Sequence, residues 1–93
     1  MERDRIIALI TEDIKHNQLL NGLGSIGLND NDRYTLSLDL VIADMMGYSE
    51  GKVPDKWLET YHKTMLSIPH KLTAKEAQSR AIILFEALST LEE

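Results

Sequence analysis

The sequence predicts an all-α protein, a compact bundle of about four helices over approximately residues 2–21, 30–46, 54–67 and 73–92. Two observations carry that expectation. Apolar residues return at three- and four-residue spacing along most of the chain, which is the period of a helix with a buried face. Residues that start or stop helices fall between those runs: Asn21-Gly22, the stretch Asn29-Asp30-Asn31-Asp32, Gly47, Pro54, Pro69 and Thr73. The 93 residues leave room for one core, so residues 1–93 are expected to form a single helical domain. Its composition, 43% hydrophobic and 27% charged, is that of a chain that folds rather than one that stays disordered.

In the first element, Ile6, Ile7, Ile10, Ile14, Asn17 and Leu20 share a face, and Glu2 and Asp4 suit the positive end of the helix dipole. Gly22 is expected to end it, because glycine accepts the left-handed backbone that closes many helices. Leu23, Ile26 and Leu28 punctuate the glycines that follow, which suggests a loop tucked against the core. Any of the four residues 29–32 is a good N-cap for the second helix. That helix has two apolar stripes, one of Tyr34, Leu38, Val41, Ile42 and Met45 and an opposite one of Leu36, Leu40 and Ala43. Gly47 and Tyr48-Ser49-Glu50-Gly51 break the pattern. Pro54 fits the first turn of a third helix, whose buried face is Trp57, Leu58, Tyr61, Met65 and Leu66, and Pro69 ends it. Thr73 and Glu76 form a capping box for the fourth, with Ala77, Ala81, Leu84, Phe85, Leu88 and Leu91 as its core stripe and Ile83 outside that stripe.

Composition narrows the function classes. The chain has no cysteine, which excludes disulfides, thiolate metal sites and thiol catalysis. No run approaches the ~18 apolar residues of a membrane span. The charged N-terminus is followed by an apolar stretch broken at Thr11, Glu12 and Asp13, unlike a signal peptide, so a cytoplasmic location is expected. The net charge is −5 and uneven: residues 29–50 carry Asp30, Asp32, Asp39, Asp44 and Glu50 against Arg33, while residues 51–72 carry Lys52, Lys56, Lys63 and Lys71 against Asp55 and Glu59. Lysines spread among acids do not make the clustered basic face that nucleic acid requires, so neither nucleic acid nor membrane is an expected partner.

Several motifs have a chemical reading and a structural one. Gly22-Leu23-Gly24-Ser25-Ile26-Gly27 matches a dinucleotide-binding glycine pattern, but a predicted helix rather than a strand leads into it. Residues 29–32 have alternating oxygen ligands like the start of a calcium loop, yet no glycine and no terminal glutamate continue it. Asp13 with His16, and Glu59 with His62, have the carboxylate-to-histidine spacing of dimetal bundles, without evident acidic ligands from the other two helices. Asp13 falls among Ile6, Leu9, Ile10 and Leu20 and needs a partner: Lys15, His16, a backbone N–H or a lysine of the third helix. The alternative use of Asp13 is as a ligand or general base.

Asp39-Leu40-Val41-Ile42-Ala43-Asp44-Met45-Met46 resembles the phosphoacceptor strand of response-regulator receiver domains. Glu12-Asp13 is similar to their acidic pair, and Ile68-Pro69 with Leu72-Thr73-Ala74 to a later strand end. The resemblance implies phosphorylation of Asp44 with Mg²⁺ held by Glu12 and Asp13. The sequence departs from that family in three places: a short segment between the acidic pair and Asp44, His70 and Lys71 where a buried strand belongs, and no final strand with its lysine.

No catalytic, cofactor-binding or metal-binding residue is assigned from these patterns. The apolar residues left outside the core stripes, Leu36, Leu40, Ala43 and Ile83, point instead to an interaction surface. The resulting expectation is a non-enzymatic helical interaction module that forms a homodimer and binds another protein through its helix faces or through the acidic segment 29–50, which suits a basic surface. The alternatives are a degenerate receiver-like phosphoacceptor domain using Asp44, and a metal-binding helical bundle.

Overall fold

The structure, a computed structural model, describes residues 2–23 and 38–91, and its regular elements there are helices. The order is α1 (Arg3–Leu23), α2 (Asp39–Met45), α3 (Asp55–Leu66) and α4 (Ala74–Ser89), with no strand among the described residues. Helix α1 packs against each of the other three, most extensively against α4. Its predicted stripe is the one buried: Ile6, Ile7, Ile10, Ile14, Asn17 and Leu20 all face inward. Of these, Ile6, Ile7, Ile10 and Ile14 meet Ile42 and Ala43 of α2, Trp57, Tyr61 and Met65 of α3, and Ala77, Ala81, Leu84, Phe85 and Leu88 of α4 in one apolar core. On α4 the small Ala77 and Ala81 and the larger Leu84, Phe85 and Leu88 are all buried on one face.

The helix ends show where local signals held and where tertiary contacts replaced them. Gly22 does not stop α1, which runs on to Leu23. Asn21 is used across the bundle instead: its Nδ2 donates to the carbonyls of Ile68, at 2.8 Å, and Met65, at 3.3 Å, covering oxygens that the C-terminus of α3 leaves without intrahelical partners. Helix α2 ends as expected at the glycine. Tyr48 N–H returns to the Ala43 carbonyl and Gly47 N–H to that of Asp44, with Gly47 at φ 101°, the bonding of a Schellman cap. Lys52 N–H closes a turn onto Ser49 with Gly51 at φ 76°, and Pro54 is the N-cap of α3, its carbonyl receiving the N–H groups of Trp57 and Leu58.

At α4 both halves of the capping box form: Glu76 N–H donates to Thr73 Oγ1 at 3.1 Å and Thr73 N–H to Glu76 Oε1 at 3.0 Å. The N–H of Thr73 bound to its carboxylate, and then the Thr73 hydroxyl, hold Glu76 below the usual carboxylate pKa. Removing the cap with Thr73→Ala should cost about 1 kcal/mol of unfolding free energy, read from urea melts. A loss within error would mean that packing alone starts this helix.

Four sequence expectations are corrected. The helix expected over 30–46 is not continuous, because Leu38 is a non-helical N-cap and α2 begins at Asp39; residues 30–37, with the expected start, lie outside the described residues. Within α2 the stripes are rotated: Ile42 and Ala43 are buried together, and Val41 joins Leu40 on the outside. Leu66 is 49% exposed, since Trp57, Tyr61 and Met65 already complete the inner stripe of α3 and Leu66 lies a full residue rotation beyond it. Helix α4 stops at Ser89, with Thr90 as its C-cap, short of residue 92. Leu91 still packs against the core from beyond the helix end.

Candidate functional site

Two features stand apart from ordinary core packing: a buried polar cluster between α1, α2 and α3, and an exposed apolar face on α2. Asp13 sits in the middle of the inner face of α1 and is only 1% exposed. The sequence placed it there, but its chief partner comes from 48 residues away: the Tyr61 hydroxyl of α3 donates to Oδ2. Asn17 Nδ2 donates to Oδ1 at 3.1 Å and to the Asp13 carbonyl at 2.9 Å, and Leu38 N–H donates to Oδ2 at 3.4 Å. The expected backbone N–H is therefore present. Lys15 is not a partner; it pairs with Glu12, one turn back, at 3.7 Å.

Burial dominates the electrostatics of this pair. It pushes the Asp13 carboxyl above its ordinary range, while the hydrogen bonds from Tyr61 and Leu38 pull it back. Burial also holds the Tyr61 phenol well above its usual value, reinforced by the charge and hydrogen bond of Asp13. Tyr61 therefore keeps its proton and acts as a donor. Its ring stacks on Trp57, with centroids 5.3 Å apart and planes within 3°, and Tyr48 meets the Trp57 ring edge-on at 6.3 Å.

A second polar link lies one residue along both α2 and α3: His62 Nε2 donates to Asp39 Oδ2 at 2.6 Å, and Leu40 N–H to Asp39 Oδ1 at 2.8 Å. Leu38 and Asp39, the entry to α2, are thus fixed by one polar group from each long neighbour, Asp13 of α1 and His62 of α3. The Leu38 N–H thus spends a hydrogen bond on the Asp13 carboxylate at the point where α2 begins.

This geometry dissolves the dimetal pattern. Asp13 turns to Tyr61, His62 to Asp39, and Glu59 is exposed; among the described residues no three His, Asp or Glu converge as a cation site. The receiver-like segment is helical where that resemblance needs a strand, Asp44 is exposed on α2, and Asp13 is committed inside the core. The glycine pattern from residue 24 onward and the residues 29–32 lie outside the described residues.

Of the four surface residues expected from sequence, Leu40 and Ile83 are exposed at 63% and 66%. Ala43 is a correction: it is fully buried, because the entry contacts turn that side of α2 onto the core. Leu36 lies outside the described residues. Val41, which the sequence placed in the core, is 52% exposed beside Leu40. These two side chains, with Tyr48 and Val53, line a shallow groove of about 360 Å³ edged by the carboxylates of Asp44 and Glu50. Ile83 lies in a second groove, of about 600 Å³, between α3 and α4, edged by Lys75 and Arg80. No helix among the described residues is long and apolar enough to cross a membrane. Searches against protein-family models, curated proteins and solved structures found no match to this chain.

Proposed function

We propose that this protein is a non-enzymatic helical interaction module that associates with a second copy of itself through the outer face of α2. The observation that supports the reading is the pair Leu40 and Val41, two large aliphatic side chains adjacent in sequence and more than half exposed on a seven-residue helix. Scattered single apolar residues are ordinary on protein surfaces, but an adjoining pair that opens onto an apolar groove loses exposure to water only against another surface. Among the described residues, Ile42 and Ala43 are the ones that anchor α2 in the core. The acidic edge formed by Asp44 and Glu50 selects for a basic surface on whatever docks.

Light scattering over a concentration series tests this directly. The native chain should show a mass of twice 10.6 kDa, and Leu40→Glu should halve it while helicity by circular dichroism is unchanged. A native chain that stays monomeric at every concentration would overturn the reading, and loss of helicity in the variant would show that Leu40 supports the fold.

A further inference from the structure

The two exposed apolar features carry opposite charge, and they share no lining residue. On α2 and the turn after it, Leu40 and Val41 are accompanied by Asp44 and Glu50. Between α3 and α4, Ile83 lies in a groove walled by Thr60 and Thr64 of α3 and edged by Lys75 and Arg80 of α4. Glu76 also touches that groove and stays ionised, with Thr73 N–H on its carboxylate and the charge of Arg80 acting on it, so the groove carries two bases against one acid. Among the described residues, none of Asp44, Glu50, Lys75 and Arg80 lies within ion-pair distance of an opposite charge. A surface of aliphatic side chains flanked by acids thus faces outward from one part of the chain. A groove with an aliphatic side chain flanked by bases faces outward from another.

From this complementarity we infer that self-association is not face-to-like-face: the α2 face of one copy seats in the α3–α4 groove of the other. This rests on the self-association reading above and adds the receiving surface. Pairing α2 with α2 would bring Asp44 and Glu50 against the same residues of the other copy, which costs repulsion at the edge of a dehydrated patch. Pairing α2 with the groove places Leu40 and Val41 over Ile83 and sets both carboxylates toward Lys75 and Arg80. A two-fold dimer then makes the contact twice, α2 to groove and groove to α2, since residue i meeting j in one direction means j meets i in the other.

Complementation between two defective variants distinguishes this arrangement from its rivals. Leu40→Glu damages only the α2 face and Ile83→Glu only the groove, and both positions are exposed, so helicity should be retained in each. At a concentration where the native protein is dimeric, each variant alone should have the monomer mass. Mixed in equal amounts, they should form a heterodimer, because the intact α2 face of Ile83→Glu meets the intact groove of Leu40→Glu. If Ile83→Glu remains a dimer, or the mixture remains monomeric, the groove assignment is wrong and the self-association reading stands on Leu40 alone. If the native chain is itself monomeric throughout, both fall. An independent check is charge: Arg80→Glu should weaken association at least tenfold, and Asp44→Arg in the partner should recover most of that loss. No recovery would remove the ionic pairing from the proposal.

Discussion

Trp57→Ala should remove a large part of the protein's folding stability. Trp57 is fully buried, stacked on Tyr61 and met edge-on by Tyr48, so truncation removes a large apolar group and leaves a cavity where α1, α3 and the turn after α2 converge. Emptying such a site costs about 3–5 kcal/mol. A domain of this size has roughly 5–14 kcal/mol in all, so the loss takes a large share of the margin. The neighbours limit repair: Tyr61 is held by Asp13 and cannot slide into the space without giving up that bond. Thermal melts followed by circular dichroism should show the midpoint falling by more than 10 °C, given about 4–8 °C per kcal/mol for a domain this small. Trp57→Phe should lose much less, because it keeps a ring against Tyr61 and removes a buried indole N–H that has no hydrogen-bond partner among the described residues. A melting temperature unchanged in Trp57→Ala would mean that the aromatic stack is peripheral to stability.

The second large effect lies at Asp13. Asp13→Ala leaves the buried Tyr61 hydroxyl and the part-buried Leu38 N–H without their carboxylate and removes one of the two ties that hold the entry to α2. The expected cost is about 2–4 kcal/mol, the range for leaving buried donors without their charged acceptor. Asp13→Asn should cost less, since its carbonyl oxygen still accepts from Tyr61, although its amide then faces the Asn17 amide until one of them turns. The same variant reports the charge. An acid whose folded pKa lies above its ordinary value of 3.8 binds protons on folding, so its contribution to stability is greatest in acid. That contribution falls as pH rises from the ordinary value through the raised one and is level above it. Urea midpoints measured from about pH 4 to about pH 7 should therefore decline more in the native chain than in Asp13→Asn. Equal slopes would show that hydrogen bonding compensates burial fully.

Much of the molecule was legible in its amino acids because the deciding interactions are local. Periodicity alone placed the inner stripes of α1 and α4, the Thr73–Glu76 box gave the start of α4, and Gly47 gave the end of α2. The burial of Asp13 followed from its position on the helical wheel, and the exposure of Leu40 and Ile83 from their falling outside the stripes. What failed depended on elements far apart in the chain. Gly22 permits a helix to end but does not compel it, and Asn21 was drawn into capping α3. On a helix as short as α2, two opposite apolar stripes cannot be ranked from the sequence. The tie is broken by Asp13 and His62, which grip Leu38 and Asp39 and thereby bury Ala43 and turn Val41 outward. The sequence by itself determined a helical chain and which faces of its long helices are apolar, because those properties repeat every turn. Only the tertiary structure decided the partner of Asp13, the rotation of α2 and the opposite charge of the two exposed grooves, because each is a meeting of side chains that the chain brings together only when it folds.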